Sequence, residues 1–141
     1  MHDEPAQSLD AKRREILADH RALAHLLRAL DHPPDHRVHP LLRELVDVLA
    51  RHFARETGDD GLFEIIAAHD PSAAPRLRQL ERQHAAILSQ VEEARARARD
   101  CVDVQVRIGI GRFLAALRVH EREEAGLLIR ALARGGPHPH S

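Results

Sequence analysis

Residues 41–56 read LLRELVDVLARHFARE. Leu41, Leu42, Leu45, Val48, Leu49 and Phe53 recur at spacings that place them along one face of an α-helix. His52 and Glu56 fall on that same stripe, after Leu45 and Leu49. The stretch therefore predicts a helix that carries an imidazole and a carboxylate, one turn apart, into the core it faces. A buried carboxylate without a partner costs several kcal/mol or more, so Glu56 must be paired or must bind a cation. The adjacent Arg51 and Arg55 lie off the stripe and are poorly placed to supply the charge.

The same periodicity extends over the rest of the chain. A first helix is expected from about Leu9 to Leu30, capped by Ser8 or Asp10, with Leu9, Ile16, Leu17, Leu23, Leu27 and Leu30 inward. Pro33 and Pro34 lie beyond its end, and the second helix is expected to start near Pro40 and to stop at Gly58. GDDG at 58–61 predicts a turn, and LFEIIAAH at 62–69 a short helical extension. A third helix is expected over about Ala73–Arg99, with Leu77, Leu80, Ile87, Leu88 and Val91 inward. A fourth follows over about Asp103–Arg134, with Val106, Ile110, Phe113, Leu117, Leu127, Leu128 and Leu132 inward and Gly135-Gly136-Pro137 ending it.

Four long amphipathic helices with short connections predict an all-α protein, an up-down-up-down antiparallel four-helix bundle. The expected organisation is one domain over residues 1–141, the bundle covering about 9–134 with short polar tails. Composition agrees, since hydrophobic residues make up 43% and aromatics only 2%, too few for the usual packing of a β-sandwich. A formal net charge of −1 offers no footprint for nucleic acid, and no apolar run approaches the ~18 residues of a membrane span. The polar start MHDEPAQS lacks a signal-peptide core and Cys101 has no cysteine to pair with, so a cytoplasmic location is expected.

Twelve histidines are the anomaly in this composition. His2, His138 and His140 are near the termini, and His32, His36 and His39 fall in the expected linker DHPPDHRVHP. Of the others, His20 continues the stripe of Leu17, Leu23 and Leu27. His84 sits between Leu80 and Leu88, and His120 with Glu124 between Leu117 and Leu128. Each long helix thus places one histidine inward, and two of them add a glutamate at i+4, where the side chains are neighbours. One inward histidine is most often a hydrogen-bonded core residue. Four of them with two glutamates at one spacing point instead to a shared cation site.

Heights agree with this. At 1.5 Å per residue, His20 is ~15 Å from the end of its helix and His52 ~18 Å from the start of the next. The corresponding distances for His84 and His120 are ~22 Å and ~25 Å. In antiparallel helices each pair meets at one level.

ADHRAL around His20, HFARE at 52–56, QHAAIL at 83–88 and HEREE at 120–124 follow one another in the order His, HxxxE, His, HxxxE. This arrangement is similar to the hemerythrin-like (HHE cation-binding) domain family, over almost the whole chain. The resemblance implies a di-iron centre with His20, His52, His84 and His120 capping the irons and Glu56 and Glu124 bridging them. Imidazole and carboxylate donors suit iron or manganese, whereas structural zinc more often takes cysteine, although these ligands also admit zinc.

The sequence departs from the oxygen-carrying members in two places. Leu88 stands where the third helix of those proteins supplies a second histidine, and Ala125 where the fourth supplies an aspartate. Glu124 takes the aspartate's place. The missing histidine leaves either an extra open or water-filled position or a replacement ligand, for which Glu81, one turn before His84, is the first candidate and Glu123 the second. His25 lies ~140° around the helix from His20 and is expected at the surface or just behind the ligands, and His69 in solvent or at a helix end.

The expected function is binding of, or reaction with, dioxygen, peroxide or nitric oxide, in sensing, storage or detoxification. The alternatives are a catalase-like peroxide-consuming enzyme and a structural or regulatory bundle without a redox metal. A small diatomic ligand or peroxide is the expected partner, with neither nucleic acid nor membrane.

Overall fold

A computed structural model describes the backbone of residues 5–135 and the side chains of residues 10–134. The expectations for His2, Gly136, Pro137, His138 and His140, and for the side chains of Ser8 and Leu9, lie outside the described residues. Five α-helices follow in order: α1 Pro5–Ala29, α2 Asp35–Thr57, α3 Leu62–His69, α4 Ala74–Asp100 and α5 Val104–Gly135. The four long helices form the antiparallel bundle, and no strand occurs among the described residues. The short α3 lies in the connection between α2 and α4 and packs on α1, α2 and α5. The most extensive helix pairings are α2 with α4 and α4 with α5, whereas the seam between α1 and α5 is thin.

Two helix starts differ from expectation. α1 begins at Pro5, so neither Ser8 nor Asp10 is its cap, and Asp10 instead accepts a hydrogen bond from Arg14 one turn on, at 3.3 Å. α2 begins at Asp35 and contains Pro40 in its second turn, which brings His36 and His39 into the helix and out of the linker. A proline there forfeits the bond to the His36 carbonyl, and its ring crowds only the first turn, where the helix has just begun. Arg107 holds this start from α5, donating to the Pro33 carbonyl at 3.0 Å and pairing with Asp35. α5 has a side-chain cap, the Asp103 carboxylate accepting from the Val106 N–H at 3.0 Å.

The core has two parts. One is built around Leu23, Leu30, Leu42, Leu45, Leu49, Val91, Phe113 and Leu117. The other lies at the α3 end, around Ile16, Leu62, Phe63, Ile66, Leu80 and Leu128. Each fully buried side chain of this size contributes about 1.5–3 kcal/mol, which lets the bundle tolerate polar groups between the two parts. Leu17, expected inward, is 43% exposed, because Ile16 and Leu23 already define the stripe and Leu17 lies one residue off it.

Candidate metal centre

The gap between the two apolar clusters is filled by His20, His52, Glu56, His84, His120 and Glu124. Each is the next position on its own stripe: His20 after Ile16, His84 after Leu80, and His120 and Glu124 between Leu117 and Leu128. His52, Glu56, His84, His120 and Glu124 are buried, and His20 is partly exposed. Directly after Glu56 the chain leaves α2 in a tight turn. A Cβ on Gly61 would lie 2.7 Å from the carbonyls of Arg55 and Glu56, so only glycine lets the turn fold back onto the ligand-bearing end of α2.

The two carboxylates each face both ways. Glu56 sets Oε2 2.9 Å from His52 Nε2 and Oε1 3.0 Å from His84 Nε2. Glu124 sets Oε1 3.3 Å from His20 Nε2 and Oε2 3.4 Å from His120 Nε2. All four histidines turn Nε2 toward this point. The donors form two groups, each with its ligand atoms within 4.8 Å of one another: His20, His52, Glu121 and Glu124 in the first, and Glu56, His84, His120 and Glu124 in the second.

Glu121 is a candidate donor that sequence reasoning missed. Its Oε1 is 3.2 Å from His20 Nε2. The two proposed replacements are not brought in. Glu81 is exposed on α4, and Glu123 pairs with Arg76 at 2.5 Å. Both lie rotated away from the inward face, whereas Glu121 is one turn before Glu124 on it. The extra carboxylate therefore joins the His20–His52 group, not the His84–His120 group beside Leu88.

Two further residues orient the rings. Asp19 Oδ2 lies 3.1 Å from His52 Nδ1, while its other oxygen accepts from Arg55 at 2.5 Å. Gln83 Oε1 lies 2.8 Å from His120 Nδ1. An acceptor at Nδ1 places the proton there and leaves the Nε2 lone pair free to face a cation. His84 is held by shape: Phe53 of the HFARE segment stacks on its ring at 3.8 Å, and Phe63 of α3 packs at 5.5 Å. His25 is exposed, and His69 Nδ1 bonds the Ile65 carbonyl at the end of α3, both as expected.

Electrostatics describe a site short of positive charge. Burial, with Glu124 alongside, pushes the Glu56 carboxyl up to about 10. Burial also disfavours charge on Glu124, but the neighbouring Glu56, His120, His20 and His52 outweigh this and hold it well below the usual carboxylate range. Burial disfavours the His52 imidazolium too, yet Glu121, Glu124 and Glu56 raise its pKa far above the ordinary value. Burial and the neighbouring His120 push His84 down to about 3. For Asp19, burial is outweighed by His52 and Arg55, and its carboxyl is held low. Protons on Glu56 and His52 thus supply charge that a cation would otherwise bring.

Among the described residues seven buried polar atoms have no hydrogen-bond partner: His52, His84 and His120 Nε2, both Glu56 oxygens, Glu121 Oε2 and Glu124 Oε2. Orphaned buried groups are rare in folded proteins, and these all face one another. Nitrogen and carboxylate oxygen donors so arranged fit divalent or trivalent transition-metal ions. A family model described as the hemerythrin HHE cation binding domain matches residues 12–133. The chain belongs to that family. As a member of the hemerythrin HHE family it carries the family's cation-binding assignment, and its histidine and glutamate clusters are able to hold metal. No curated protein and no solved structure matches the chain. No helix among the described residues is long and apolar enough to cross a membrane.

Proposed function

We propose that this protein is a non-haem di-iron protein that binds or reacts with dioxygen, peroxide or nitric oxide, in sensing, storage or detoxification. The observation that carries the reading is the opposed orientation of the Glu56 and Glu124 oxygens, each carboxylate lying between two histidines from different helices. His20, His52 and Glu121 would hold one iron, His84 and His120 the other, and Glu56 and Glu124 would bridge. When bound, such a pair supplies reversible electron transfer and open positions for a small ligand.

The chain's own groups set what can reach it. With a cation bound, Asp19 and Gln83 would keep the proton of His52 and His120 on Nδ1 and leave Nε2 free. Phe53, Phe63 and the apolar clusters on either side exclude water from the His84–His120 side. Glu121 and His20, the most exposed of the donors, place the accessible side at the first group. The Glu121 carboxylate adds negative charge to the His20–His52 group, which favours more oxidised metal, and this supports the second reading, a catalase-like peroxide-consuming enzyme.

Elemental analysis and an absorption spectrum of protein grown with ample iron test the proposal. About two irons per chain, lost in His52→Ala and Glu124→Ala, is the expected result. One zinc per chain, or iron unaffected by both substitutions, would leave a structural bundle. Oxygen evolution from peroxide would favour the enzyme, and a spectrum that reverses on removing oxygen would favour binding.

A further inference from the structure

The metal-ligand cluster reaches the surface at one edge. The side chains of His20 and Glu121 are 23% and 19% exposed, whereas those of His52, Glu56, His84, His120 and Glu124 are 7% exposed or less. That edge opens into a groove of about 490 Å³ along the thin seam between α1 and α5. The size is that of a small-molecule site rather than a channel for a diatomic gas.

The groove has a chemical direction. His20 and Glu121 line one end, and Leu23, Ala24 and Leu27 continue along α1 as an apolar floor. Arg28 lies eight residues beyond His20, ~12 Å farther along the helix axis. Because α5 runs antiparallel, Arg118 lies on the Arg28 side of Glu121. Arg122 adds a third cation to the wall. Among the described residues none of these three arginines has an ion-pair partner, so their charge faces the groove and solvent. Glu121 and Glu124 repel an anion at the metal end, and Arg28 and Arg118 attract one at the far end.

We infer that the groove between α1 and α5 binds a medium-chain monocarboxylate, its carboxylate on Arg28 and Arg118 and its alkyl chain along Leu27, Ala24 and Leu23, ending at His20 and Glu121. A carboxylate matches the fork of an arginine, and the apolar floor excludes a hydrophilic anion such as phosphate from the rest of the groove. A ligand so seated covers the exposed edge of the cluster. The inference goes beyond the proposed function and holds whether or not iron occupies the site.

The test is titration of octanoate, butyrate and octylamine into both metal-free and metal-loaded protein, followed by calorimetry and by NMR of the leucine methyl groups. Octanoate is expected to bind with shifts at Leu23 and Leu27, at least tenfold more tightly than butyrate, with octylamine not binding. Arg28→Ala/Arg118→Ala, both exposed positions, should weaken octanoate at least tenfold with helicity unchanged, and Arg28→Lys/Arg118→Lys should recover part of the loss. With a paramagnetic metal bound, the terminal methyl should broaden more than the methylene next to the carboxylate. Absence of octanoate binding, indifference to the alanine pair, equal binding of octylamine, or the reverse broadening order would overturn the inference. Failure to load metal would count against the di-iron reading alone, because the metal-free titration still decides this one.

Discussion

Asp19 Oδ2 lies 3.1 Å from His52 Nδ1, and Arg55 fixes the other oxygen of the same carboxylate from the surface. The chain Arg55–Asp19–His52 thus runs from solvent to the buried donors and orients one candidate ligand from outside the two donor groups. Removing the charge while keeping the shape, in Asp19→Asn, should leave the fold intact and weaken metal at the His20–His52 group by about 10–100-fold. Competition with a chelator measures this, and unchanged affinity would remove Asp19 from the account.

Glu121 and Glu81 give a direct contrast. Glu121→Gln should lower the metal content from about two ions per chain toward one, because it takes a charged donor from one group and leaves the other complete. Glu81→Gln should leave the content unchanged, since Glu81 is exposed and lies outside both groups. Metal analysis of the two variants side by side decides it, and the opposite result would restore Glu81 as the replacement ligand.

Protonation makes the metal-free protein sensitive to alkali. Folded-state pKa values of His52 and Glu56 both lie above their ordinary values, that of Glu56 at about 10. Between pH 7 and pH 9 the folded protein keeps protons that the unfolded chain has released, so stability falls as pH rises. Each group costs up to ~1.4 kcal/mol per pH unit over that window. Glu124, held low, acts only in acid and does not offset this. Denaturant unfolding of the metal-free protein should show the loss, and Glu56→Gln should reduce it while abolishing metal binding. Metal binding should in turn release protons and tighten as pH rises. A flat or rising stability profile would contradict the assignment.

Core and site should separate cleanly under mutation. Leu45 is wholly buried, about two turns before His52 on α2, outside both donor groups, and packed in the larger apolar cluster. Leu45→Ala should cost about 2–5 kcal/mol of stability and leave metal stoichiometry unchanged at a temperature where the protein is folded. Thermal unfolding and metal analysis together check this.

Much of this was legible in residue spacing. The stripe through Leu45, Leu49, His52 and Phe53 placed a ligand pair inward because an α-helix repeats closely enough for three- and four-residue steps to define a face. The short helix at 62–69 and the turn at 58–61 were legible for similar local reasons. Helix starts were less so: Pro40 looks like a first position, and only Arg107 from a distant helix shows why α2 begins at Asp35.

The residues missed at the site, Glu121, Asp19 and Gln83, share a property. Each sits at the edge of a stripe: Glu121 between Leu117 and Glu124, Asp19 between Ile16 and Leu23, Gln83 between Leu80 and Ile87. Edge positions face the core or the solvent according to how each helix is rotated by its neighbours, which spacing within one helix does not record. Leu17 shows the converse, an apolar side chain beside the stripe that the same rotation turns outward.

Four separate helices contribute the donors, and the two carboxylates that each face a pair of histidines come from α2 and α5. No short segment holds more than fragments of either group, so a nascent or misfolded chain offers passing ions little beyond isolated imidazole and carboxylate pairs. Tight uptake of metal then becomes a certificate of correct assembly: molecules that have threaded all four helices retain the ion, and the others release it to the surrounding pool.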